Sequence, residues 1–262
     1  MASKGVVLVS FNYRSGIFGF LAHPELSAES ELKVSGNYGL QDQIAALKWV
    51  QENISHFGGD PTRVTVFGVS AGSASISLLL TCPQSKGLFQ QTILHSPGAA
   101  RPLATLAQAE DFSEKALGSD INRLRTLGEG DIFKLTSSMN PKIRGLTTPR
   151  ILRPILDGVY LSENERDVFK AHRQAMLPMI VGSNLDEGSL LTKEWAIHSV
   201  DDYVQLVNIN FKTFAAQALS LYPVKSEEEI RNAIAHLFGD TQFNYGTRLL
   251  AQSNSFQVAN TW

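Results

Sequence analysis

Gly68-Val69-Ser70-Ala71-Gly72 places a serine with a glycine two residues to either side. A serine hydroxyl is a weak nucleophile until a base takes its proton and the backbone presents it clear of the chain. The G-x-S-x-G spacing meets the second need, with a strained serine at the apex of a sharp strand-to-helix turn. Side chains at the two flanking positions would collide where strand and helix cross, so glycine fits both. Such a turn also aims helix N-terminal N–H groups at the point where negative charge would develop on a substrate. The chemistry implied is covalent catalysis by Ser70; the alternative is a glycine-rich turn with an idle serine.

The base that activates such a serine needs an acid to orient it, and the usual chain order behind this turn is serine, acid, histidine. Glu187 follows the strand-like Met179-Ile180-Val181-Gly182, and Asp186 is its neighbour and competitor. A solvated turn, or a pair of carboxylates capping the next helix, explains the two equally well. Of the six histidines, His23, His56, His95, His172, His198 and His236, only His198 and His236 follow Glu187. His198 has no further strand before it, and His236 lies inside a helical pattern. His95 follows a strand but precedes the acid, so it would need a rearranged triad. None makes a convincing base.

These residues need elements to hold them. Val64 to Phe67 reads as the strand entering the turn and Ala71 to Leu80 as the helix leaving it, ended by Pro83. Val6 to Asn12 is a continuous apolar run suited to a parallel strand buried on both faces. Tyr13 to Ser35 is loop-like. Leu40, Ile44, Leu47, Val50 and Ile54 recur at helical spacing; Asn37 or Ser35 marks the start and Gly58-Gly59-Asp60-Pro61 the stop. Gln91 to His95 is another strand. The alternation from residue 6 to 97 predicts an α/β protein with a parallel, doubly wound sheet, and places Ser70 at a strand's carboxyl end, where ligands bind in such sheets. Residues 101 to 177 predict a helical excursion, with helices at Leu103–Leu117 and Asp131–Ser138 and punctuation at Thr148-Pro149 and Arg153-Pro154. Residues 201–221, 226–238 and 240–255 read as helices, broken at Pro223 and Gly239. The chain stops at Asn260-Thr261-Trp262 without a terminal signal.

With 262 residues, 43% hydrophobic and 18% charged, the chain is long enough for one large α/β domain. A net charge of -2 gives no reason to expect nucleic acid or an anionic membrane as partner. No apolar run approaches a membrane span. The single cysteine, Cys82, allows no internal disulfide. There is no Cys/His cluster for zinc, no G-x-G-x-x-G after a strand and no phosphate-binding loop, so no cofactor is expected. Asn53-Ile54-Ser55 matches the glycosylation pattern, but Ile54 belongs to an apolar helix face.

Further segments carry a family resemblance. Asn12-Tyr13-Arg14, Asn37-Tyr38-Gly39-Leu40-Gln41-Asp42-Gln43, Ala46 to Ile54, Phe57-Gly58-Gly59-Asp60-Pro61 and the serine turn together resemble the type-B carboxylesterases of the α/β-hydrolase fold. Gly87-Leu88-Phe89, Pro154-Ile155-Leu156-Asp157-Gly158 and Gly182 to Gly188 fit the same pattern, so the likeness covers essentially the whole chain as one partial α/β-hydrolase domain, 1–262. The resemblance implies an ester hydrolase acting on small-molecule esters through an acyl-enzyme, without metal or cofactor. It makes Ser70 the nucleophile, Glu187 (before Gly188) the acid and the N–H of Ala71 one oxyanion donor. It also implies an ion pair between Arg14 and Asp42.

Two departures stand out. The family's His-Gly-Gly-Gly oxyanion segment and its catalytic histidine match nothing here, so the chain is expected to be a fragment of a longer esterase. Val69 replaces the glutamate common before the serine, which weakens a cholinesterase assignment. Two rival readings are a non-catalytic, neuroligin-like adhesion member and an inactive remnant. The sheet is expected to show either an open slot beside the first strand or that strand sliding across to pair with the one entering Ser70.

Overall fold

The structure, a computed structural model, describes residues 1–139, 146 and 152–255. Three strands, β1 (Thr65–Val69), β2 (Gln91–His95) and β3 (Met179–Gly182), form a parallel sheet in the order β1–β2–β3. Val69 pairs with His95 and His95 with Gly182, so the three carboxyl ends finish level. Alternate residues face opposite sides. Leu94 and Met179 are buried in the main core, with Val66 and Val181 packed against it. The opposite face carries Phe67 and Ile180, which stay 47% and 51% exposed.

Ahead of the sheet lie α1 (Gly16–Phe20), α2 (Pro24–Glu29) and α3 (Tyr38–Asn53). The helix α4 (Ala71–Leu79) links β1 to β2. Between β2 and β3 run α5 (Leu106–Leu117), α6 (Ile121–Arg125), α7 (Glu129–Met139) and α8 (Glu165–Lys170). After β3 come α9 (Val200–Phe211), α10 (Ala215–Leu221), α11 (Glu227–Gly239) and α12 (Tyr245–Ser255). Leu40, Ile44 and Leu47 of α3 meet Ile76, Leu78 and Leu79 of α4, Phe169 of α8 and Leu250 of α12 in the main core. Each such side chain, fully buried, contributes about 1.5–3 kcal/mol. The excursion after β2 builds its own apolar cluster with α1, and α9 to α11 build another around Tyr203, Val207 and Ile234.

The helix over 40–54 forms as its spacing predicts. Asn37 sits at its N-cap with a φ of 52°, yet its side chain does not cap. Its amide instead donates to the Ile155 carbonyl and to Asp157 and accepts the Ile155 N–H, fastening the Pro154–Gly158 segment to α3. Arg14 and Asp42 form the expected ion pair, with Nε and Nη2 donating to the two carboxylate oxygens at 2.9 and 2.7 Å. Asn53 donates to the Trp49 carbonyl and Ile54 is buried, consistent with a structural role for the glycosylation pattern.

The expected strand over Val6–Asn12 does not form. The segment joins no ladder among the described residues, and Val6 and Leu8 are about half exposed. A strand exists only through its neighbours' hydrogen bonds. The outer edge of β1 is likewise unpaired among the described residues, so of the two arrangements expected, pairing across to β1 is excluded. Residues 13–35 hold two short helices rather than loop alone. The helix expected over 201–221 breaks at Lys212, whose φ is 49°. Gly239 is not a break, because α11 runs on through π-helical turns at Asp240–Asn244 into α12. Thr148-Pro149 and Asn260-Thr261-Trp262 lie outside the described residues.

Candidate active site

Ser70 sits between β1 and α4 with φ 53° and ψ -113°. A residue other than glycine held there costs about 1–3 kcal/mol and persists only when its surroundings over-determine it. Two backbone bonds do so: Ser70 N–H donates to the His95 carbonyl at 3.0 Å, and Ala74 N–H donates to the Ser70 carbonyl at 2.8 Å. The steric account of the flanking glycines holds on one side only. A Cβ on Gly68 would come within 2.7 Å of the Gly72 carbonyl carbon and 2.9 Å of the Ser73 nitrogen. A Cβ on Gly72 would meet nothing within 4 Å, so crowding does not explain that glycine. Ala71 is the first residue of α4, where the backbone N–H has no acceptor within the helix. Ser70 and Ala71 are both exposed.

Two strands away, the turn after β3 separates its two carboxylates. Asp186 Oδ1 accepts the N–H groups of Ser189 at 2.9 Å and Gly188 at 3.1 Å. Hydrogen bonds from Ser189, with those from Gly188 and the nearby His236, hold its carboxyl below the ordinary carboxylate range. Asp186 is thus occupied in closing its own turn. Glu187 Oε1 accepts the Ser96 hydroxyl at 2.5 Å and the Asn184 N–H at 2.6 Å. Asn184 Nδ2 in turn donates to Ser96 Oγ at 3.2 Å. Ser96 directly follows β2 with a φ of 52°, and its N–H donates to the Gly182 carbonyl at 2.7 Å. Ser70, Ser96 and the Glu187 turn therefore all emerge from the same carboxyl edge.

Ser96 was not singled out in the sequence. Its only local signal is its place just after a strand, level with the serine turn. Gly188 has a clear physical cause, since a Cβ there would lie 1.9 Å from the Ala235 carbonyl oxygen of α11. Gly239 closes against the same turn, a Cβ there meeting Glu187 Cβ at 3.5 Å.

Two histidine rings are engaged elsewhere, and the rings of the other four make no hydrogen bond within the site. His23 is buried, with Nδ1 accepting the Glu25 N–H and Nε2 2.9 Å from the Gly118 carbonyl. His172 Nδ1 lies 3.0 Å from the Ser253 carbonyl. His198 uses its backbone N–H on Asp202, and His236 is exposed on α11. No histidine ring among the described residues hydrogen-bonds the Ser70 hydroxyl or the Glu187 carboxylate; His95 meets Ser70 through its backbone carbonyl alone. Among these residues no group of three or more His, Cys, Asp or Glu is placed to hold a metal ion, and no helix is long and apolar enough to cross a membrane.

The sequence profile of the Carboxylesterase family matches residues 1–262. The chain belongs to the carboxylesterase family. Fumonisin B1 esterase of Sphingopyxis macrogoltabida is 49% identical over 251 residues, covering 96% of this chain and 46% of that one. Para-nitrobenzyl esterase of Bacillus subtilis (strain 168) is 37% identical over 252 residues, covering 93% and 49%. A solved structure of a para-nitrobenzyl esterase superposes with a TM-score of 0.73 at 35% identity, over 94% of this chain and 52% of that one. The chain thus spans about half the length of these relatives, and its fold is that of an incomplete α/β-hydrolase.

Proposed function

We propose that the protein is a carboxylic-ester hydrolase in which residues 1–262, read as part of one α/β-hydrolase domain, carry the nucleophile, the acid and one oxyanion donor. Ser70 Oγ attacks the ester carbonyl carbon and gives its proton to an imidazole. The oxyanion of the tetrahedral intermediate accepts the N–H of Ala71 at the start of α4. Collapse expels the alcohol, which takes the proton back from the imidazole, and leaves an acyl-Ser70. Water then attacks the acyl carbon by the same route. Glu187 orients the imidazole and stabilises its cation, with Ser96 and Asn184 fixing the carboxylate. The reaction uses no cofactor.

The observation that carries this reading is the pairing at one sheet edge of a strained, exposed Ser70 with a Glu187 carboxylate held by Ser96 and Asn184. Asp186 is the weaker candidate for the acid because its carboxylate is spent on its own turn. The relatives named for fumonisin B1 and para-nitrobenzyl esters support an ester of a small molecule as substrate. Val69 beside the nucleophile supplies no anion for a cationic one.

A fluorophosphonate probe tests the proposal. Ser70 should become labelled, slowly because no histidine ring here faces it, and the label should vanish with Ser70→Ala. With a histidine-bearing segment of a relative added, labelling should speed up, and Glu187→Gln should remove much of that gain. Labelling that persists in Ser70→Ala would remove Ser70 from the mechanism. A complete lack of labelling, even with a histidine-bearing segment of a relative added, would favour a non-catalytic, neuroligin-like role.

A further inference from the structure

Glu165 is a carboxyl with no exit to solvent. It is 3% exposed at the first position of α8, and its two oxygens reach two different elements. Oε1 accepts the N–H of Ala100 at 2.5 Å, in the loop after β2. Oε2 lies 2.6 Å from Ser77 Oγ on α4. Ser77 Oγ also lies 2.8 Å from the Ala74 carbonyl.

A hydroxyl has one proton and cannot donate to both. With Glu165 ionised, Ser77 donates to the carboxylate and releases the Ala74 carbonyl. With Glu165 neutral, its own O–H donates to Ser77 Oγ, Ser77 donates to Ala74, and Oε1 still accepts from Ala100. The neutral form therefore closes a continuous relay into the first turn of α4. The Ala74 N–H of that turn holds the Ser70 carbonyl. On the other side, Ala100 is held at a φ of 61°, in the loop that begins at Ser96, the partner of Glu187.

We propose that Glu165 is a proton-dependent positioning residue. Its neutral acid joins the Ser70 helix to the Ser96 loop through Ser77, Ala74 and Ala100. Its deprotonation keeps the Ser77 and Ala100 bonds but frees the Ala74 carbonyl and leaves a charge buried between the two elements, which loosens both. Burial raises its pKa to about 7, against the opposing hydrogen bonds of Ser77, Ala100 and Arg101 and the Arg101 charge. Arg101, from the loop, is the one charged group acting on it among the described residues. From α4 it faces Ser77, and α12, which packs on α8, brings no ionisable group that shifts it.

The sign follows from linkage. An acid with a folded pKa of about 7, against an ordinary 4.5, binds its proton more tightly in the folded chain. That stabilisation is full below about 4.5 and is lost as pH rises through about 7. Glu165→Gln reproduces the neutral pattern, its NH2 donating to Ser77 and its carbonyl accepting from Ala100.

The test compares the full chain with Glu165→Gln by thermal melting and by hydrogen-exchange mass spectrometry. From pH 5 to 8 the melting temperature of the parent should fall by about 5 °C more than that of the variant. Protection across α4 and residues 96–101, corrected for intrinsic exchange, should fall with the same midpoint in the parent alone. Ser77→Ala removes the relay but keeps the Ala100 bond, so protection at 96–101 should still follow pH while that of α4 no longer does. Parallel melting curves for parent and Glu165→Gln would overturn the proposal, as would pH-independent protection in both segments. The bearing on catalysis rests on the proposed roles of Ser70 and Glu187; the melting and exchange data do not, so the two readings can fail separately.

Discussion

Glycine in the Ser70 turn and in the Glu187 turn answers to different neighbours, and substitution separates them. Gly68→Ala drives a methyl into the backbone of Gly72 and Ser73, neither of which can rotate away. Overpacking of this kind costs about 1–3 kcal/mol. Gly72→Ala enters open space inside a helix and gains propensity, so it should be neutral or stabilising by up to about 1 kcal/mol. Urea midpoints for the two variants check this; equal losses would show that Gly72 is crowded after all. Gly188→Ala should be the most damaging of the three, because its methyl would overlap the Ala235 carbonyl and push the Glu187 turn off α11.

At the scale of elements, the sheet edge is assembled by ties between segments distant in sequence. Asn37 pins the Pro154–Gly158 segment to α3, and Arg14 pins the chain after Asn12 to the same helix through Asp42. The Arg14 guanidinium lies 5.4 Å from the Tyr38 ring centre and bonds Asp42 through both carboxylate oxygens. Hydrogen bonds from Arg14 hold the Asp42 carboxyl below its ordinary 3.8. A depressed carboxyl contributes stability above its unfolded value and loses it as pH falls through its folded one. The pair is partly exposed, so Asp42→Asn should cost on the order of 1 kcal/mol at pH 7 in low salt. The difference from the parent should shrink in high salt and close below pH 3.8. Chemical denaturation at two salt concentrations and across that pH range measures it; an unchanged gap at low pH would mean that the Asp42 contribution is not ionic.

For the whole molecule, the exposed surface is the informative feature. Phe67 and Val69 of β1, Ile180 of β3, Val6 to Val9 and Phe11 are all apolar and accessible. β1 also presents backbone donors and acceptors with no partner among the described residues. Open apolar edges associate with one another. The 262-residue chain should therefore self-associate with rising concentration, as read by light scattering, and Phe67→Lys should reduce this. Scattering unchanged from dilute to concentrated solution would contradict it. The same chain should turn over a nitrophenyl ester poorly. A triad without one member loses several orders of magnitude in rate, while residual catalysis from the remaining donors survives. Robust turnover dependent on Ser70 would require a base that no described contact reveals.

The short helices α1 and α2 and the continuation through Gly239 escaped it, but local pattern was enough for many features written within a few neighbouring residues. The strands Gln91–His95 and Met179–Gly182, the helix from Tyr38, the turn at Ser70 and the family motifs are of this kind, because apolar period and glycine spacing are properties of the chain itself. The preference for the glutamate at 187 over its neighbour comes from resemblance, and its hydrogen bond with Ser96 had no sign in the sequence. Contacts made across the fold carried no such mark. Ser96 meets Glu187 from 91 residues away, Glu165 reaches Ser77 across 88, and Gly188 is dictated by a carbonyl on a helix further along the chain. The apolar run at Val6–Asn12 failed as a strand for the same reason: its pattern declares a readiness to pair, but pairing is a relation with another strand, and only the folded chain decides whether that partner is there.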